Sequence, residues 1–173
     1  MRHSIIIFLS ILFFVSCQNQ NKFGYIDRSV VINGYYKKIN IEDRFQLKNT
    51  QFINKRDSLI RQYESERQAA SMRVQAMTDN ELQQLSLEFP QKEALLGQQI
   101  QSEQQELQQA FDTEIDSVIQ EVKHYVMKYG KANNYTFIFG TSDATNTVMY
   151  GGDTQDISQI ILEQLNTDYG KNK

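Results

Sequence analysis

Residues 85–129 read LSLEFPQKEALLGQQIQSEQQELQQAFDTEIDSVIQEVKHYVMKY. Apolar side chains fall at Leu85, Phe89, Leu96, Ile100, Leu107, Phe111, Val118, Val122 and Tyr129, with spacings that alternate between four and seven. That is an eleven-residue repeat held for four periods. Eleven residues over three turns is close to the natural helical period, so the pattern predicts a nearly straight or slightly right-handed helix. Ile115, Ile119, Val126 and Met127 thicken the stripe towards its C-terminal end. The expectation is a helix packed into a body at that end and more solvated at the other.

Upstream, the segment 35–129 contains only two helix breakers of note, Pro90 and Gly97, among abundant Gln, Glu, Arg, Leu, Ile and Ala. A straight helix of that length would reach roughly 140 Å, so the segment is expected to fold back as a hairpin. The tip is placed near 75–80, where Thr78 with Glu81 forms a capping-box pattern, and Pro90 is the alternative. In the first arm Phe45, Phe52 and Leu59 recur every seven residues, as do Tyr63, Ala70 and Met77. Lys48, Lys55 and Arg56 interrupt that seam. Charge is segregated as well. Lys37 to Arg73 holds nine Lys/Arg against five Asp/Glu, whereas Val74 to Val122 holds one Lys against ten Asp/Glu. A folded hairpin would lay a basic arm along an acidic one.

Around the hairpin lie short strand-like segments. Phe23-Gly24-Tyr25-Ile26-Asp27 reads as a strand, and Asn33-Gly34 as a break. Gly130 is expected to close the long helix. Tyr135 to Phe139 reads as a second strand, Gly140 to Asp143 as a turn, and Thr147 to Tyr150 as a third strand ended by Gly151-Gly152. Asp156 to Tyr169 reads as an amphipathic helix with Asp156 and Gln159 as its capping box. The predicted class is α+β: a small β-body, 23–34 with 130–173, carrying a long α-helical hairpin arm, 35–129. Three short strands are seldom stable alone, and their edges invite pairing with other copies. Oligomerisation through the body is therefore expected, with Tyr25, Ile26, Phe137, Ile138, Phe139, Val148 and Tyr150 as its residues.

The N-terminus reads as an address. Arg2 and His3 precede an apolar run from Ser4 to Val15, too short to span a bilayer and suited to a signal peptide over 1–16. The only cysteine, Cys17, directly follows Ser16, as in a bacterial lipobox, although Phe14 stands where Leu is usual. Cys17 is the expected lipidation site, with 17–22 as a polar tether. Gln18 in second place and the lack of an acidic run after Cys17 point to a lipid anchor at the outer membrane, facing the periplasm.

Composition excludes much else. With one Cys, one Pro and two His among 173 residues, there is no disulfide framework and little for a metal site or triad. A net charge of −3 carries no nucleic-acid footprint. Gly-rich phosphate loops, GxSxG and HExxH are missing. Asp153 and Asp156 are explained as turn and cap residues, and Asp112, Glu114, Asp116 and Glu121 as an acidic helix face. The expectation is a protein that is not an enzyme and holds no cofactor or metal.

In order and spacing, Gly24-Tyr25-Ile26-Asp27, the Gln/Glu-rich hairpin, Asn134-Tyr135-Thr136-Phe137-Ile138-Phe139, and Val148-Met149-Tyr150-Gly151 with its closing helix resemble the Skp/OmpH family of periplasmic chaperones. The resemblance spans Phe23 to Lys173. It implies a jellyfish-shaped homotrimer whose three hairpins enclose a cavity. It also implies an ATP-independent holdase that keeps unfolded outer-membrane β-barrel proteins from aggregating in a Gram-negative periplasm. The best-known members are basic and soluble, whereas this chain is mildly acidic. The candidate client contacts are therefore confined to the basic arm: Phe45, Lys48, Phe52, Lys55, Arg56, Arg61 and Arg67. The competing readings are a structural coiled-coil envelope lipoprotein, or an adaptor or accessory subunit of a larger complex.

Overall fold

The computed structural model describes residues 21–142, 145 and 147–171. The signal peptide, Cys17 and the first part of the tether lie outside the described residues. Strand β1 (Phe23–Asp27) leads into a short helix α1 (Arg28–Gly34). Asp27 forces that switch: its Oδ1 accepts from the backbone N–H of Ser29 at 2.7 Å and Val30 at 3.2 Å, an N-cap on the strand's last residue. The break at Asn33-Gly34 is thus the end of a helix. Tyr35 is extended, and the first arm, α2 (Tyr36–Ser71), follows.

The chain reverses through Met72 to Thr78, with a single 3₁₀ turn at Val74–Ala76. The second arm, α3 (Asp79–Ala132), starts on a complete capping box. Thr78 Oγ1 accepts from the Glu81 N–H, and Glu81 accepts from the Thr78 N–H at 2.7 Å. The Glu81 carboxyl is held below its usual range by the Thr78 backbone bond and then by the Thr78 hydroxyl. Pro90 lies inside α3, so the reversal is not there.

Gly130 does not close α3. It is buried within the last turns, and a Cβ there would sit 3.1 Å from Ile138 Cδ1, so glycine lets β2 approach the helix. The stop comes at Asn134, the one non-glycine residue with positive φ (58°) among those described. Asn tolerates that conformation. It allows the Tyr135 N–H to donate back to the Gly130 carbonyl at 2.9 Å, the 6→1 bond of a Schellman end.

Strand β2 (Phe137–Thr141) starts two residues later than its aromatic run and includes Gly140 and Thr141, which the sequence assigned to a turn. It pairs in parallel with β1, Phe23 beside Phe137 and Tyr25 beside Phe139. The other edge of β1 is taken by the segment before the last helix, α4 (Ser158–Lys171), through a bridge from Tyr25 to Asp156. Thr147–Tyr150 pairs with neither strand and is not itself a strand. Met149 and Tyr150 are 89% and 91% exposed. High β-propensity needs an edge to pair with. Nor do Asp156 and Gln159 form a capping box. Asp156 Oδ1 accepts instead from the Ser158 N–H at 2.9 Å and from its hydroxyl, while that hydroxyl accepts from the Asp27 N–H at 2.8 Å.

One apolar core forms where these elements meet. Ile26, Val31, Tyr35, Ile41 and Phe45 enclose it from one side, Val118 and Val122 from α3, and Ile157, just before α4, with Ile161 and Leu165 on α4. Along α3 the stripe is buried at Val118 and Val122 but only half-buried at Leu85, Phe89, Leu96, Ile100, Leu107 and Phe111. Ile161→Ala is therefore expected to cost about 3 kcal/mol, and Leu96→Ala about 1 kcal/mol. Urea denaturation at fixed protein concentration checks the ranking, and equal costs would refute the division into body and arm.

Candidate functional site

Two surfaces are built by this fold. The first is the seam between the arms. Four ion pairs cross it: Lys37–Glu121, Arg44–Glu114, Lys55–Glu103 and Glu66–Lys92. From one pair to the next, α2 advances by seven, eleven and eleven residues while α3 recedes by the same steps. A single antiparallel register therefore holds along the hairpin, on the same eleven-residue period as the apolar stripe. Three pairs set a basic α2 residue against an acidic α3 residue. The fourth uses Lys92, the one cation between Val74 and Val122, and reverses the sense. Aromatic contacts lie alongside: Phe45 meets Phe111 edge-on at 5.3 Å, and Tyr63 meets Phe89 at 6.0 Å.

At the root of the arms the network tightens. The buried Tyr35 hydroxyl donates to Glu121 Oε1 at 2.7 Å, and Lys37 donates to the other oxygen. Partial burial pushes the Glu121 carboxyl up, but the Lys37 and Tyr35 bonds outweigh it and the net shift is downward. The Tyr35 phenol is pushed well above its ordinary value by burial and by Glu121. Further out, Glu103 and Glu66 are held low by Lys55 and Lys92 respectively.

The residues expected to meet a client divide sharply. Phe45 is only 5% exposed and lies in the core against Phe111, so it is not available on a single chain. Phe52 is half-buried. Lys48 rests over the Phe45 ring at 4.5 Å, Lys55 is paired across the seam, and Arg56 is paired with its neighbour Asp57. Arg61 and Arg67 are exposed, and neither makes an ion pair among the described residues. Leu47, Ile53, Leu87 and Leu95 stand exposed along the arms, as do Met72 and Val74 at the tip. Sequence reasoning passed over these six. The available signal was their misfit: Leu87 and Leu95 fall off the four–seven stripe and so have no seam position to fill.

The second surface is the outer face of the sheet. Alternation turns Gly24 and Ile26 inward, with Ile138 beside them, and Phe23, Tyr25, Phe137 and Phe139 outward. Ile26 is buried within the single chain, and Ile138 packs over Gly130, so of the expected assembly residues these two belong to the core. Phe137 stacks with Phe23 at 6.1 Å and with Phe139 at 6.0 Å. Beside them Val148 is half-buried and Tyr150 exposed, lining with Tyr25 and Phe139 a groove of about 640 Å³. Burial, then Asp156, Asp153 and Tyr150, raise the Tyr25 phenol pKa.

Among the described residues no His, Cys, Asp or Glu cluster is arranged to hold a metal, and no helix is long and apolar enough to cross a membrane. What the described geometry offers is two surfaces for association.

The family model for the outer membrane protein (OmpH-like) family matches residues 22–165. The chain belongs to the OmpH-like family. Its fold is also that of a crystal structure from Caulobacter crescentus CB15 assigned as an outer membrane chaperone (OmpH-like). The TM-score is 0.76 over 86% of this chain and 85% of that one, at 13% sequence identity. No curated protein matches the sequence. At such low identity what the two OmpH-like chains share is architecture, and the seam must be read from this chain's own residues.

A carboxyl whose pKa is lower in the folded than in the unfolded chain stabilises the fold above the unfolded value, and loses that contribution as pH falls through the folded one. Glu66, Glu81, Glu103 and Glu121 are all lowered from 4.5. Below about pH 4.5 the arms are expected to loosen before the body. Amide exchange should rise first in 50–110, and simultaneous loss in arms and body would refute this. Lys55→Glu should raise arm exchange at neutral pH, and adding Glu103→Lys should restore most of it.

Proposed function

We propose that this chain is an ATP-independent holdase that binds unfolded outer-membrane β-barrel proteins in the periplasm and prevents their aggregation. It works as a homotrimer joined through the outer face of the β-body, with three hairpins around a cavity, and is held at the periplasmic side of the outer membrane by lipid on Cys17. The family and the fold support a chaperone role in general. The observation that carries the finer reading is the construction of the arms.

Their seam is half-buried stripe and exposed ion pairs, not a continuous dry core. Exposed pairs hold register and orientation with little stability each. Such arms can part and shift to fit clients of different size, which a rigid spacer with unbroken core packing cannot do. Leu47, Ile53, Leu87 and Leu95 offer scattered apolar contacts, and Arg61 and Arg67 offer unpaired positive charge. A client in transit exposes alternating apolar strands that would otherwise aggregate. Many weak contacts can hold it without fixing one conformation, and release then needs no nucleotide.

Assembly follows from what the single chain leaves open. The outward aromatics of the sheet lie next to Thr147–Tyr150, a segment of strand composition that pairs with no strand among the described residues, where β2 also has one unpaired edge. A neighbouring copy can satisfy all three.

Sedimentation velocity on residues 21–173, alone and with a urea-unfolded β-barrel protein diluted in, tests the proposal. A trimer that takes up one client and keeps it soluble is expected. Arg61→Glu with Arg67→Glu should weaken that uptake while leaving the trimer, and Phe137→Glu should give monomers. A trimer that leaves the client to aggregate would point instead to a structural or adaptor role.

A further inference from the structure

We propose that the pole of the body opposite the hairpin tip is a lipid-facing surface that rests on an anionic bilayer, so that the arms stand away from the membrane. Three observations converge on that pole. The first is where the chain emerges. Lys22 donates to the Asn133 carbonyl at 3.2 Å and lies over the Tyr135 ring at 4.0 Å, immediately beyond the last turn of α3. The N-terminal segment therefore leaves from the end of α3 farthest from the tip, a helix of 54 residues, about 80 Å long. From Cys17 to Lys22 is a tether of at most about 18 Å. That distance rests on the lipid-anchor reading of Cys17; the next two observations do not.

The second is charge. The chain is acidic overall, yet from Val122 to Ser142 it contains no Asp or Glu. Lys123, Lys128 and Lys131 are exposed there, joined by Lys22, and none forms an ion pair among the described residues. The third is shape. Between the last turns of α3 and the start of β2 runs a shallow groove of about 380 Å³, floored by Val126, Met127, Gly130 and Ile138 and rimmed by Lys123 and Lys131. Met127 is 50% exposed. Cations around an apolar trough fit a layer of anionic headgroups over acyl chains, each lysine near the surface adding attraction that salt screens.

The test uses the unlipidated chain beginning at Gln18, which keeps every described residue. It is mixed with phosphatidylcholine vesicles with and without about one-third phosphatidylglycerol. Binding to the anionic vesicles alone, weakened by salt, is expected. The triple variant Lys123→Gln, Lys128→Gln, Lys131→Gln should bind about a hundredfold more weakly. The charge-matched arm variant Lys48→Gln, Arg61→Gln, Arg67→Gln should bind as the parent does. Circular dichroism and sedimentation confirm that each remains folded and assembled.

No vesicle binding, undiminished binding by the pole variant, or loss in the arm variant would each overturn the proposal. Polyglutamate bound in place of vesicles would do so too, by identifying an acidic polypeptide as the occupant. The holdase reading is scored separately on the same samples. A pole variant that still keeps clients soluble leaves that reading intact, and an arm variant that binds vesicles but loses clients separates the two surfaces.

Discussion

The parallel pairing of β1 with β2 is the constraint from which the rest of the molecule follows. Two parallel strands cannot be joined by a tight turn; the chain must travel back along one strand length before the second can start beside the first. Here the crossover is the entire hairpin. The arms are in register from Lys37 opposite Glu121 outward, so α3 returns to the root of α2 at about residue 121. It then continues to Ala132, eleven residues further, which is roughly 16 Å of helix. A five-residue strand is about as long. The overshoot therefore delivers the chain to the start of β1, where Asn134 turns it and Gly130 leaves room for Ile138. Lengthening or shortening that extension would slide Phe137 off Phe23 and turn the outward aromatics inward.

The same geometry divides the stability. Within the body, α3 from Val118 onward packs into the shared core, so Val118 and Val122 are removed from water and contribute by burial. Beyond the root, each arm has only the other to pack against, and a two-helix contact half-buries its stripe. Ion pairs then decide how the arms align. They are exposed and individually weak, so they choose among registers without making the chosen one rigid. Aromatic edges at Phe45–Phe111 and Tyr63–Phe89 add local anchors at two heights along the arm.

Much of this was legible because it rests on periodicity and sign. The four–seven spacing marked α3 and the direction of its packed end, and the charge imbalance marked which helix lies on which. Thr78 with Glu81 shows its role in four consecutive letters. What was not legible depends on who occupies an edge. Val148-Met149-Tyr150 has strand composition, yet β1 is paired on both edges, by β2 and by Asp156, and the segment does not take the edge that β2 leaves open. Phe45 sits on a basic arm and looked available, yet its height places it level with Phe111 and inside the core. Gly130 read as a stop because a glycine after a helical pattern usually is one. Its function is close approach, and the stop was four residues on at Asn134. Asp27 and Asp156 were visible as polar residues, but not their meeting on Ser158, which lies 131 residues from Asp27 in sequence.

A fold divided in this way separates two demands that conflict in a compact domain. A surface that holds non-native chains must expose apolar groups and change shape, and both weaken a core. Here the core lies at one end, where the parallel sheet and the overshooting helix already require it. Leu47, Leu87 and Leu95 stand on arms whose alignment depends on other residues. Their exposure therefore removes nothing from the body, and movement of the arms costs only weak pairs that can re-form. Because those pairs share one antiparallel register along both helices, a parted arm has one set of partners to return to. The charge pattern thus acts as a restoring register, and flexibility in the arms does not become disorder.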